Sequence, residues 1–429
     1  MTPSDSGLVR TIGRWSLVAL MVNSILGAGV FGLPARLAAL LGGYSPASCL
    51  FAGLGLLVIA GCIAEVSSRF EETGGLYLYA REAFGRFTGL VIAWLTWLTR
   101  IAAPAAAANL FATYAAQFFP ALGGKKIGAV VLAVLIGQLA LFNYIGVKTG
   151  KDVSNAFTAV KVSFLFFFIA SGAMALIWHA ELRMPTTFTA MPAKNWFEAI
   201  LLLVYAYGGF EGALFVGGES ENPKKDTPIA LLLALALICV IYTSIQYVVI
   251  ATLPNAGASA RPLADAAMRF MGPWGATAIG LAALISTYGY LSANLLHAPR
   301  ITYALAERGD FPRVLAKIHP RFRTPHVSIL LYAAVLFAFS ALGNFQWNAM
   351  LSAVSRLTVY GSMALAVPVF RRRGARVASF LLPMPYLFSG LGLLFTGVLL
   401  TRAGRGEAIV VGATVVVALV NWFVVRQRE

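Results

Sequence analysis

Charge is what this 429-residue chain has least of: charged residues make up 12% of it, against about 25% in ordinary globular domains. Acidic residues are scarcer still, 17 beside 33 basic ones. The four histidines, His179, His297, His319 and His326, are scattered and form no helical i,i+4 metal pair, so a metalloenzyme is not expected. The three cysteines, Cys49, Cys62 and Cys239, are odd in number and lie inside apolar runs, which excludes a disulfide scaffold. Low-complexity runs and long polar linkers are also missing.

Apolar sequence fills the space. Hydrophobic residues are 59% of the chain and the mean hydropathy is +0.78. A soluble domain could not bury that much apolar surface, because soluble cores stop growing with chain length. The expected solvent is lipid, in which each crossing helix needs about 20 mainly apolar residues. The formal net charge of +16 does not imply nucleic acid. Most basic residues fall between apolar segments, and no aromatic–basic surface motif accompanies them.

Apolar spans run at 14–40, 44–68, 86–119, 127–145, 153–178, 196–219, 228–253, 274–305, 327–342, 349–370, 379–401 and 408–425. They predict an all-α integral membrane protein of twelve transmembrane helices. The first span is too long for a signal peptide core and has no small-residue cleavage site behind it, so it is expected to stay as the first membrane helix. Basic residues collect on one side, including Arg69, Arg81, Arg86, Arg308, Arg313 and the block Arg371–Arg372–Arg373. The other side carries fewer, among them Arg36, Lys125, Lys126 and Arg261. The richer side is expected to be cytoplasmic, with both termini on it. The longest cytoplasmic connection, 307–326, is expected to carry a short amphipathic piece.

Two spans are weak in the middle. The first reads "NSILGAGVFGLP" (23–34) and centres on Gly27-Ala28-Gly29; the sixth reads "YAYGGFEG" (205–212) and centres on Gly208-Gly209. Glycine in a helix interior costs about 1 kcal/mol relative to alanine. Unwound backbone at membrane depth is tolerated only inside protein or beside a water-filled cavity. Glycine-interrupted spans in corresponding positions of two halves point to a transporter binding site near the midplane. Half-helix N-termini offer N–H groups to a carboxylate and half-helix C-termini offer carbonyls to an ammonium. Close helix packing by small residues is the other reading of "GAGVFG" taken alone.

Ionisable residues inside membrane spans cost at least about 2.5 kcal/mol at the helix centre, which makes each one a functional hypothesis. Arg100, Lys161, Glu211 and Arg356 are well inside spans, and Glu65 and His297 lie nearer the ends. A buried ion pair of Glu211 with Arg100 and Arg356 is one reading, and a polar network reporting on the site is another. Glu219 and Glu221, before Asn222-Pro223 at a membrane edge, read as gate or loop residues and not as a catalytic dyad.

Several long, ordered signatures resemble the amino acid–polyamine–organocation superfamily along nearly the whole chain. They are "GAGVFGLP", "AEVSSRFEETGGLYLYAREAFG" (64–85), "YAYGGFEG" with "ENPKKDTPIA", and "APRITYALAERGDFPRVLAKIHPRFRTPH" (298–326). The resemblance implies a LeuT-type fold of two inverted five-helix repeats with helices 1 and 6 broken. The parts would be an N-terminal tail (1–13), a first repeat (14–178), a second repeat (196–373), two added helices (379–425) and a C-terminal tail (426–429). It implies alternating access around a central site. The N–H groups of Gly27, Ala28 and Gly29 would hold the substrate carboxylate, Ala28 standing where relatives often have serine. Carbonyls near Ser24, Ile25, Tyr205 and Gly208, with Gly209, would hold the ammonium. An aromatic between Tyr205 and Tyr207 would cover the ligand, and Tyr290 would supply a wall. Lys161 resembles the fifth-helix lysine that stands in for sodium in sodium-independent relatives. It is either a proton-exchanging group or a fixed structural cation. Arg100 resembles a site-lining position and would oppose cationic side chains.

These features imply a secondary amino acid transporter of the cytoplasmic membrane. It would be sodium-independent, working by proton-coupled symport or by exchange, with neutral or acidic amino acids favoured. Expected partners are a small-molecule amino acid, protons, the bilayer and, as a homodimer, a second copy; no cofactor, metal or nucleic acid is expected. An amino acid/polyamine antiporter and a non-transporting solute sensor are the alternatives. A membrane acyl or glycosyl transferase would need clustered His, Asp or Glu at one face, and the sequence offers none.

Overall fold

A computed structural model describes residues 12–70, 75–146, 151–184, 188–215, 220–374 and 377–426. Glu219 and most of both expected tails lie outside the described residues. The fold is helical throughout, and the described residues hold only an isolated one-residue bridge, Ile12 with Ser220. The helices are α1 (Arg14–Ile25), α2 (Gly29–Leu41), α3 (Ser45–Ser67), α4 (Gly75–Phe84), α5 (Arg86–Phe118), α6 (Lys125–Tyr144) and α7 (Lys151–Trp178). They continue as α8 (Ala193–Tyr207), α9 (Pro223–Thr252), α10 (Pro262–Glu307), α11 (His326–Leu342), α12 (Phe345–Arg373), α13 (Pro385–Leu400) and α14 (Arg405–Arg426).

Among the described residues eight apolar helical runs are long enough to cross a bilayer, and α11 and α13 are shorter apolar helices. The first and sixth expected spans each fall into pieces. The 12 residues of α1 and the 15 of α8 are each too short to cross alone. Proline in the first turn starts α3, α9, α10 and α13, where its missing N–H is no loss. The expected span 274–305 lies inside a longer α10. Gly272, at φ 71°, kinks α10 just before Pro273, so its first turns run in a different direction from the rest. The 307–326 connection carries a short 3-10 turn at Arg313–Ala316. Outward-facing Phe51, Val134, Val240, Leu394 and Val416 stay exposed on the bundle surface, as contact with lipid tails requires.

The most extensive packing joins α3 to α9 and α5 to α12; α5 also packs on α10 and α1 on α9. A polar knot ties α4 and α5 to the 307–326 connection. There the Tyr77 hydroxyl donates to the Asp310 carboxylate, Arg81 donates to the Tyr77 oxygen at 2.9 Å and Arg86 reaches Asp310 at 3.3 Å. Burial first, then the Asp310 carboxylate, push the Tyr77 phenol above its ordinary pKa. At the end of α3, fully buried Glu65 accepts from Arg371 at 2.7 and 2.8 Å, from Arg69 at 2.9 Å and from the Leu382 N–H at 3.0 Å. The backbone is irregular between α1 and α2 and again after α8, which packs on both α2 and α12.

Candidate functional site at the two helix breaks

Helix α1 stops at Ile25, and the Leu26 N–H closes it onto the Val22 carbonyl at 2.9 Å. Helix α2 opens at Gly29, with Phe31 and Gly32 donating to the Ala28 carbonyl. Helix α8 stops at Tyr207, and the Gly208 N–H is shared between the Val204 and Tyr205 carbonyls at 3.1 and 3.2 Å. Gly209, at φ 125°, turns the chain into a 3-10 segment, Phe210–Phe215. Each interruption leaves terminal carbonyls and N–H groups that a buried chain must satisfy in some other way.

Side chains from elsewhere meet that need. Lys161 Nζ donates to the Asn23 carbonyl at 2.6 Å and to the Leu26 carbonyl at 2.8 Å. The Tyr242 hydroxyl reaches the Ile25 carbonyl at 3.2 Å and the Ala206 carbonyl at 3.0 Å, touching both breaks. Arg356 donates to the Tyr205 carbonyl at 3.3 Å and pairs with Glu211 at 3.1 Å. Glu211 in turn accepts the Gly209 N–H at 2.8 Å and the Tyr360 hydroxyl at 3.1 Å. Both members of the pair are buried, so each depends on the other for compensation.

The glycines make these approaches possible. A Cβ at Gly208 would overlap the Arg356 guanidinium, and one at Gly209 would run into the Ser24 carbonyl. A Cβ at Gly29 would come within 2.8 Å of Ala206, where the start of α2 crosses the end of α8. Phe345 packs beside this crossing, its ring 6.1 Å from that of Tyr205. The bundle is therefore closed on that side of the breaks.

On the other side lies a cavity of about 480 Å³. Ser24, Arg100, Lys161, Gly209, Glu211, Tyr290 and Arg356 all line it, so seven of the sequence-predicted residues from five helices and a break share one space. Its far wall runs along α10 through His297 and Arg300 to Ala304, the end that leads into the 307–326 connection. The other predicted residues stand behind this lining. Ile25, Ala28, Gly29 and Gly208 are buried in the breaks, and Gly27 lies against the Tyr290 ring, 3.5 Å from where its Cβ would be. Tyr205 is buried at the closed side. Tyr207 points elsewhere, its hydroxyl donating to the Cys49 carbonyl at 2.8 Å and its ring 5.1 Å from Tyr242.

The structure adds residues that the sequence did not single out: Asn23, Thr99, Ser286 and Asn294 on the cavity wall, and Tyr242 and Tyr360 behind it. Asn23 Oδ1 and Ser286 Oγ are buried without a hydrogen-bond partner in the protein, and both residues line the cavity. Buried polar atoms are seldom left so, and these two offer hydrogen-bonding capacity to an occupant. Polar residues inside apolar runs, as in "IYTSIQY" (241–247), were the signal that could have flagged Tyr242. Among the described residues no group of three or more His, Cys, Asp or Glu could hold a metal ion.

Residues 12–425 match the family described as amino acid permease. The chain is 30% identical to the serine/threonine exchanger SteT of Bacillus subtilis, over 87% of this chain and 86% of that protein. It is 26% identical to the methylthioribose transporter of the same organism, over 91% and 88% of the two chains. Identity to the branched-chain amino acid permease BcaP, also of Bacillus subtilis, is 24% over 100% of this chain and 95% of that protein.

Proposed function

The chain belongs to the amino acid permease family, a multi-pass membrane transporter family and not an enzyme family, and from that premise we propose that it moves amino acids by alternating access around the cavity at the two breaks. The observation that carries the proposal is the convergence of both interrupted helices on one cavity with charged side chains in its wall, closed at one end. That is the geometry of a site open to one side of a membrane at a time.

The reading includes twelve crossings, with α1 and α2 forming the first and α8 with its 3-10 continuation the sixth. It also includes two inverted repeats at 14–178 and 196–373. Helix packing supports them. Exchanging crossings 1–5 with 6–10, five added in the first half and five subtracted in the second, carries packed pairs onto packed pairs: α1–α9 onto α8–α3, α5–α12 onto α10–α7, and α7–α9 onto α12–α3. The connecting pieces follow the same rule. The 3-10 turn Ala256–Ala258 covers α2 as α4 covers the 3-10 segment after Gly209. With the basic-rich end cytoplasmic, the cavity opens inward and both termini are inside.

In this reading the N–H groups of Gly27, Ala28 and Gly29 hold a carboxylate once the Tyr290 ring moves off Gly27. The Lys161 ammonium occupies the carbonyls of Asn23 and Leu26, which supports sodium-independent transport. A lysine can also release its proton, which supports proton coupling. Arg100, Arg300 and Arg356 on the cavity wall weigh against cationic side chains, so neutral or acidic amino acids are the proposed substrates. The relative named for methylthioribose favours a second reading, a transporter of another small polar solute.

The test is uptake of radiolabelled standard L-amino acids into proteoliposomes, with and without a pH gradient. Saturable uptake that responds to the gradient and not to sodium is expected. A panel without uptake or exchange would reject amino acid transport, and uptake of methylthioribose in its place would establish the second reading.

A further inference from the structure

The second break already holds a cation and an anion of its own. Arg356 lies on the Tyr205 carbonyl at 3.3 Å, and Glu211 takes the Gly209 N–H at 2.8 Å. An amino acid bound at such a break would place its ammonium on a carbonyl and its carboxylate on an N–H. The Glu211–Arg356 pair fills both positions. The place of the guanidinium is built into the chain, since any side chain at residue 208 would overlap it. At the first break Lys161 holds the Asn23 and Leu26 carbonyls, and Tyr242 reaches that of Ile25. At the two breaks, then, the Asn23, Leu26 and Tyr205 carbonyls are met by the protein's own cations, and Tyr242 shares one hydroxyl between those of Ile25 and Ala206.

The cavity beside them has an unequal charge. Arg100, Lys161, Arg300 and Arg356 line it against one carboxylate, Glu211. Like-signed charge in a cleft with low-dielectric walls concentrates counter-ions and disfavours ions of its own sign. Such a wall attracts a carboxylate and works against an ammonium. The Ser286 hydroxyl adds a neutral donor for the acid group, while Asn23 Oδ1 is an acceptor open to a ligand N–H or O–H.

We propose that this site takes its ligand by the acid group and does not require a free α-ammonium, so that its substrates extend from amino acids to the 2-oxo carboxylates with the same side chains. The proposal rests on reading the cavity as a transport site. Glu211 and Arg356 then act as a resident stand-in for a bound zwitterion, and Arg356 is a specificity-determining residue.

A site that hydrogen-bonds a ligand N–H rejects the analogue lacking it by about four orders of magnitude, so the test has a wide range. Full-length protein in proteoliposomes is first assayed for uptake of labelled L-amino acids and 2-oxo acids. Uptake of an accepted amino acid is then competed with its 2-oxo acid and with its methyl ester; for leucine these are 4-methyl-2-oxopentanoate and leucine methyl ester. The ester keeps the ammonium and loses the acid. The 2-oxo acid is expected to compete within about tenfold of the amino acid, and the ester to fail at about a hundredfold excess. Competition by the ester and not by the 2-oxo acid overturns the proposal and leaves amino acid transport standing. Uptake of neither compound class overturns both.

A double variant, Glu211→Gln with Arg356→Gln, removes the stand-in without leaving one buried charge alone. In it the 2-oxo acid is expected to fall about tenfold or more behind the amino acid, because the freed Tyr205 carbonyl now accepts the ammonium. An unchanged ratio in a variant that elutes as a single species counts against the role of Arg356. If the variant does not fold, the competition series on the unaltered protein decides.

Discussion

At the first break one lysine holds the carbonyls of Asn23 and Leu26; at the second an arginine holds the carbonyl of Tyr205 and brings its own carboxylate, Glu211. Both answer the same need, an interrupted helix end whose carbonyls have no partner within the helix. They differ in what can change. Lysine can lose its proton, whereas arginine keeps its charge at any pH a cell reaches. The first break is thus held by a lone lysine and the second by an arginine with a paired carboxylate. The first is also sterically open at Gly27, while the second is closed around Gly208. The two breaks thus differ in steric tolerance at these glycines: a Cβ is met by ordinary contact at Gly27 and by overlap with a guanidinium at Gly208.

That contrast can be broken by substitution. Glu211→Gln leaves Arg356 buried without its carboxylate and is expected to destabilise the protein by about 3–5 kcal/mol, read as a fall in the melting midpoint of the purified protein. A melting curve that does not move would mean that the second break does not depend on its pair. Gly208→Ala drives a methyl group into the guanidinium and should cost about 1–3 kcal/mol, with uptake lost. Lys161→Ala leaves the Asn23 and Leu26 carbonyls without their donor, at about 1–3 kcal/mol. It should also flatten the dependence of uptake on pH, and an unchanged profile assigns Lys161 to structure alone. Tyr242→Phe removes a hydroxyl that touches both breaks and should cost about 1 kcal/mol in the same melting assay. Gly27→Ala meets only an ordinary contact with the Tyr290 ring and should lie within about 0.5 kcal/mol of the unaltered protein. If Gly27→Ala proves as damaging as Gly208→Ala, the two breaks are alike and the contrast is lost.

The breaks themselves were legible because glycine clusters and charges stand out in long apolar runs. Lys161, Glu211, Arg100 and Arg356 were found on that ground alone, and all four line the cavity. Their pairing was less legible, since the partners lie far apart in the chain. Arg356 reaches a carbonyl 151 residues away and Tyr242 one 217 residues away. The two aromatic candidates before the second break could not be separated in advance. Tyr205 and Tyr207 are two residues apart on a helix and so point to different sides. Only the packing around them places Tyr205 by Phe345 at the closed end and Tyr207 against α3. The kink at Gly272 was also missed, because a proline after a glycine reads equally well as the start of a helix.

The hydroxyl of Tyr242 carries one proton and stands at nearly equal distance from two acceptors, Ile25 and Ala206. It can donate to only one at a time. Whichever break holds the bond leaves the other with a carbonyl in need, so the two breaks are rivals for a single hydrogen. Such a contact is frustrated by construction. A shift of either half-helix that lengthened one of these bonds would leave the hydrogen to the other carbonyl.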